Sequence, residues 1–160
     1  MQKDSQALLS IRDLHVEFAT DAGSVPAVRG IDLNIAAGET VALVGESGCG
    51  KSVTAMSVMR LTEGRIATGS IHFQGRDLAG LDDAEMRSIR GGQIGMIFQE
   101  PMTSLNPVFT IGRQIEEVLS LHQQLSARAA RAQALELLQR VGIPAPERRV
   151  FSTRMSFPAA

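Results

Sequence analysis

The sequence predicts an α/β fold that runs from β-rich through α/β to helical, and three observations carry that expectation. Leu8 to Phe18 and Val25 to Ile35 alternate apolar and polar residues on either side of Asp21-Ala22-Gly23-Ser24, the pattern of a half-buried hairpin around a turn. Thr40 to Val44 and Gln93 to Phe98 are short, nearly continuous apolar runs, which read as strands buried on both faces, as in a parallel sheet. After Pro107 the apolar spacing becomes helical.

Taken in order, the hairpin leads through the turn Ala37-Gly38-Glu39 into the first apolar run, and Gly45 to Gly50 follows at once. Lys51 to Leu61 contains no helix breaker and reads as a helix. Gly69 to Phe73 is a further β segment turning at Gln74-Gly75, and Asp82 to Ile89 a short polar helix. Thr110 is a plausible N-cap for a helix with Ile111, Ile115, Val118, Leu119 and Leu125 on one face. Ser126 caps a second, with Ala134, Leu137, Leu138 and Val141 on its apolar face and Gly142 at its end.

The 160 residues suffice for one domain, and 16 basic against 17 acidic residues draw the chain as a whole neither to nucleic acid nor to anionic lipid. The single cysteine, Cys49, excludes an internal disulfide framework and fits a reducing cytoplasm. No stretch approaches the roughly 20 apolar residues of a spanning helix, and MQKDSQALLS lacks a signal-peptide core. The expectation is a cytosolic chain that meets a membrane only through a partner. His15, His72 and His122 are scattered without metal-ligand spacing.

Gly45-Glu46-Ser47-Gly48-Cys49-Gly50-Lys51-Ser52 matches G-x-x-x-x-G-K-S/T at every fixed position. At a background glycine usage of about 7%, such a match arises by chance in roughly 1% of chains this long, and the apolar run before it and helix pattern after it narrow the odds further. The chemistry explains each residue. A triphosphate needs convergent donors, which successive main-chain amides in a tight loop supply. Glycines let the backbone approach the oxygens, and the following helix points its positive end at them. Lys51 adds a full charge, and Ser52 offers a hydroxyl to Mg²⁺. ATP with Mg²⁺ is therefore the expected ligand.

Met96-Ile97-Phe98-Gln99-Glu100-Pro101-Met102-Thr103-Ser104-Leu105-Asn106-Pro107 closely resembles the glutamine loop of ABC transporter ATP-binding subunits, in particular the oligopeptide, dipeptide, nickel and glutathione importer branch. Gly45 to Ala55 and Leu121 to Ser126 fit the same branch, and the resemblance spans roughly residues 8 to 149. It implies a P-loop NTPase of ABC type: an antiparallel β-subdomain with the phosphate-loop core over 1–98, the glutamine loop with part of an α-helical subdomain over 99–150, and a non-family tail over 151–160. It makes Phe18 the adenine-stacking aromatic, and gives Gln99 contact with Mg²⁺ and the attacking water together with a coupling role. Cys49 stands where Ser or Ala is commoner, and Val53 where many members have Thr. The implied partners are transmembrane permease subunits, a second ATP-binding subunit and, indirectly, a solute-binding protein, with no nucleic acid. The implied location is the cytoplasmic face of the inner membrane.

The family also carries an LSGGQ-type signature, a strand ending in Asp, a catalytic Glu and a switch His, and these strings do not occur here. The expectation is nucleotide binding without turnover, since water attack on a γ-phosphate needs groups that orient the water and stabilise charge. FSTRMSFPAA does not resemble the family. Codons chosen for Val150 to Ala160 and read two nucleotides later spell LQHPHELSGGM, so a frameshift is expected. The two apolar runs, lacking sheet neighbours, are expected to leave edges exposed and the chain marginal or aggregating. Other readings are a soluble ABC ATPase acting on nucleic acid, which would want basic surfaces, and a GTPase, whose Asn-Lys-x-Asp is absent. A non-catalytic decoy or pseudogene product is a further alternative.

Overall fold

A computed structural model describes residues 7–99 and 104–154. Its contacts group into two units, 1–87 and 88–160.

The first unit is built on an antiparallel sheet in the order β2-β1-β3-β4, with β1 Ala7–Thr20, β2 Gly23–Ala36, β3 Arg65–Phe73 and β4 Arg76–Asp77. The expected hairpin is β1–β2, closed where Thr20 pairs with Gly23 and the Thr20 hydroxyl donates to the Gly23 carbonyl at 2.6 Å. β3 begins four residues before the expected Gly69, and the turn Gln74-Gly75 has positive φ at both residues, the geometry that matches strand twist in a two-residue hairpin loop.

β1 carries a bulge that sets the core. The register against β3 shifts between Arg12 and His15, and Asp13 has φ 42. Strict alternation from the buried Ile11 would turn Asp13 inward. The extra residue re-phases the strand, so that Leu14 and Val16 are buried. The stranded Asp13 N–H donates to the Asp32 carboxylate at 3.0 Å. Gly69 crosses opposite with φ +91, where a Cβ would fall 2.5 Å from the Arg12 carbonyl oxygen and closer still to that of Asp13. Only glycine fits there. Val28, Val58, Met59, Ile71, Phe73, Leu78 and Met86 are buried as well.

Two helices stand before β3 and after β4 in the chain. α1 covers Lys51–Val58, ending before the expected Leu61 because Arg60 takes φ 49 and its guanidinium donates to the Leu81 carbonyl at 2.6 Å. α2 covers Asp83–Ile89. Asp82 accepts from the Glu85 N–H at 2.8 Å, and Glu85 from the Asp82 N–H at 3.1 Å, a reciprocal capping box.

The second unit contains α3 Ile111–Gln123, α4 Ala127–Arg140 and α5 Pro146–Arg149. Thr110 and Ser126 are the N-caps, accepting from Arg113 and Ala129. One cluster joins Ile111, Leu138 and Val150, and another Leu119, Ala130 and Ala134, with Ile115 packed on both. Val118 and Val141, expected on the apolar faces, are 54% and 71% exposed. The segment after α5 returns to α3, where Ile111 and Gly112 N–H donate to the Ser152 and Val150 carbonyls at 2.9 Å, satisfying donors that a helix start leaves open. Residues 155–160 of the expected tail lie outside the described residues. No helix among the described residues is long and apolar enough to cross a membrane.

The two apolar runs depart from expectation. Residues 40–46 and 95–98 form no strand, and Val44 and Ile97 are 88% and 94% exposed. The physical reason is pairing: a strand buried on both faces needs a ladder on each side, and among the described residues neither run has one.

Candidate functional site

The phosphate-loop motif bridges the first of these irregular runs and α1. Its residues from Gly45 to Cys49 are exposed, as is Ser52 in the first turn of the helix. Cys49 N–H donates to the Glu46 carbonyl at 3.4 Å, closing the loop on itself. Gly48 and Gly50 have φ +83 and +92, the left-handed region that side chains disfavour. A Cβ at 48 would meet nothing within 4 Å, whereas one at 50 would lie 2.6 Å from the Ala27 carbonyl oxygen of β2. Gly50 is thus required twice over, by its angle and by its seat against the sheet.

The Lys51 ammonium folds back over the loop, donating to the Gly45 and Glu46 carbonyls at 2.7 and 2.6 Å and approaching the Cys49 sulfur at 3.5 Å. Two carbonyls hold a cation without neutralising it, so its charge stays available to an anion. Cys49 Sγ would lie 2.6 Å from a Cβ at position 45, which explains a glycine there as the floor for the thiol. α1 has no side-chain N-cap and no acidic residue in its first turn. Its leading N–H groups therefore remain for a ligand, and the dipole favours an anion.

Thr54, which the motif does not flag, anchors the junction. It is 4% exposed, and both its N–H and its hydroxyl donate to the Gly50 carbonyl, at 2.8 and 2.9 Å. Val53, half-buried, accepts from the Ser57 hydroxyl at 2.7 Å. An open cavity of about 470 Å³ lies against the loop, lined among others by Ala27, Val28, Leu43, Gly48 and Lys51. Its volume suits a small ligand.

Phe18 is half-buried near the hairpin end, paired with Val25, and its ring edge would lie 3.2 Å from a Cβ at Gly64. Gln99 is exposed at the end of the irregular run in the second unit. Glu100 to Thr103, part of the string that carried the resemblance, lie outside the described residues.

A family model described as ABC transporter matches residues 28–157. The oligopeptide transport ATP-binding protein OppD of Bacillus subtilis (strain 168) is 51% identical over 146 residues, covering 89% of this chain and 41% of its own length. The dipeptide transport ATP-binding protein DppD of the same organism is 49% identical over 148 residues, covering 91% of this chain and 44% of its own length. The chain therefore spans less than half the length of these curated relatives. Among solved structures, a dimeric ATP-binding cassette in a post-hydrolysis state with ADP and Pi matches with a TM-score of 0.80 at 25% identity, covering 94% of this chain and 63% of that one.

Proposed function

The chain belongs to the ABC transporter family, and from that premise we propose that it is the nucleotide-holding part of an ATP-binding subunit that drives import of peptides or a related small solute. The observation that carries this reading is the loop from Gly45 to Ser52, where an ammonium, uncapped helix amides and an exposed hydroxyl converge beside a cavity. The names of the relatives, oligopeptide and dipeptide transport ATP-binding proteins, support the solute class.

ATP with Mg²⁺ would supply the polyphosphate and the divalent charge that such a subunit uses, and the residues fit them. The space where a side chain at Gly48 would project is open, so the main chain can approach phosphate oxygens. Among the described residues the Lys51 ammonium is held by two carbonyls and a thiol, and moving to phosphate exchanges neutral acceptors for charged ones. Glu46, Ser47, Cys49 and Gly50 contribute main-chain amides, Ser52 its hydroxyl to the metal, and Val53 the continuing helix. Gln99 is assigned the second contact to Mg²⁺ and the coupling to permease subunits, and Phe18 the stacking of adenine. A second ATP-binding subunit, permease subunits and a solute-binding protein complete the assembly at the inner face of the membrane.

The test is titration with a fluorescent ATP analogue, with and without Mg²⁺, on this chain and on Lys51→Ala. Loss of a charge-assisted contact weakens affinity by about 10- to 100-fold. Equal affinity in the two proteins, or no dependence on Mg²⁺, overturns the reading.

A further inference from the structure

We propose that Gln114 is a positioning residue that locks the segment Asn106 to Thr110 onto α3, so that this loop and the helix move as one body. The Gln114 side-chain oxygen accepts from the Asn106 N–H at 2.9 Å. Its Nε2 donates to the Asn106 carbonyl at 3.0 Å, the Phe109 carbonyl at 3.1 Å and, more weakly, the Thr110 carbonyl at 3.5 Å. One planar amide therefore engages both main-chain groups of Asn106, as a neighbouring strand would, and gathers two further carbonyls of the same loop. Its orientation is fixed by the partners, since the oxygen faces an N–H and the nitrogen faces carbonyls.

The surroundings reinforce the lock. Asn106 Oδ1 accepts from the Val108 N–H at 3.0 Å, making a tight turn inside the loop. The Arg113 guanidinium lies 4.4 Å from the centre of the Phe109 ring. Leu105, just before the clamped segment, packs on the cluster of Ile111, Leu138 and Val150. The loop is thus fixed by an apolar anchor on one side and an amide on the other, while Val108 at its tip is 78% exposed. Glutamine is the side chain that suits the position: glutamate offers no donor when ionised, and asparagine is one methylene shorter.

The clamped loop follows Gln99 in the chain. In a subunit that couples through that glutamine, a loop rigidly tied to α3 passes on displacement of the helix, where a slack one would absorb it. That clause rests on the proposed function; the clamp does not.

Site-resolved amide hydrogen exchange on the 160-residue chain tests it, with Gln114→Met and Gln114→Glu compared. Methionine keeps the length and packing of glutamine without its hydrogen bonds, and ionised glutamate keeps only the acceptor. In Gln114→Met the Asn106 and Val108 amides are expected to exchange roughly tenfold faster, the scale of one lost hydrogen bond. In Gln114→Glu, which keeps the acceptor of the Asn106 N–H but loses the bonds donated to the loop carbonyls, the Val108 amide loosens and Asn106 changes less. Ala134 and Leu138 in α4 keep their protection in both. Asn106→Ala, which removes the turn and leaves the main-chain partners of Gln114, should loosen the Val108 amide alone. Unchanged loop protection in Gln114→Met would show that only packing matters and overturn the proposal. Equal loss of protection in the loop and in α4 would overturn it too, by making Gln114 a general support of the helical unit. Nucleotide affinity and its loss in Lys51→Ala are read separately, so failure of the clamp and failure of the functional reading are distinguishable.

Discussion

The antiparallel sheet of the first unit and the two apolar runs, 40–44 and 94–98, were both readable as strands, yet only the sheet forms. β1 finds β2 across a short turn and β3, from far along the chain, on its other side, so its main-chain groups are paired on both edges. The continuous runs carry the more hydrophobic residues and remain irregular, with Leu43 49% and Val44 88% exposed. Hydrophobicity marks a segment for burial, whereas a hydrogen-bonding neighbour decides whether it becomes a strand. An alternating strand can satisfy itself with one covered face, while a run buried on both faces depends on ladders that local sequence does not provide.

Substitutions can break or sharpen this contrast. The largest effect is expected at Gly69→Val, which places a side chain onto the Arg12 and Asp13 carbonyls at φ +91. The sheet should lose about 3 kcal/mol or more, read as loss of the cooperative β signal in urea by circular dichroism. Survival of that transition would mean that the bulge does not organise the core. Next comes Ile71→Ala, at 1% exposure, expected to cost about 2–5 kcal/mol and to lower the urea midpoint. Thr110→Ala should cost about 1 kcal/mol of the helical unit by removing the acceptor for Arg113, visible as faster exchange in the first turn of α3. Smallest of all is Val44→Ala, expected within about 0.5 kcal/mol of the parent. A loss at Val44 comparable to that at Ile71 would show that the run is packed after all, and the contrast would fail.

What the sequence disclosed follows the same division. The hairpin, the turn at Gln74-Gly75 and the caps Thr110 and Ser126 were legible because each is encoded within a few residues. The first half of β3 was not, because Gly69 reads as a break in a strand when it is in fact the residue that fits across the β1 bulge. α5 is a single turn of four residues, too short to show a period. At the site, the loop from Gly45 to Ser52 was legible through its fixed spacing. The two hydrogen bonds of Thr54 to the Gly50 carbonyl and the amide clamp of Gln114 were not, since their partners are backbone atoms, which carry no residue identity.

The seat of Gly50 against the Ala27 carbonyl has a mechanical meaning. It gives the loop a fixed seat on the sheet, while the space beside Gly48 is open. Whatever enters the cavity therefore meets a loop pinned at residue 50, with β2 as the frame that bears the load.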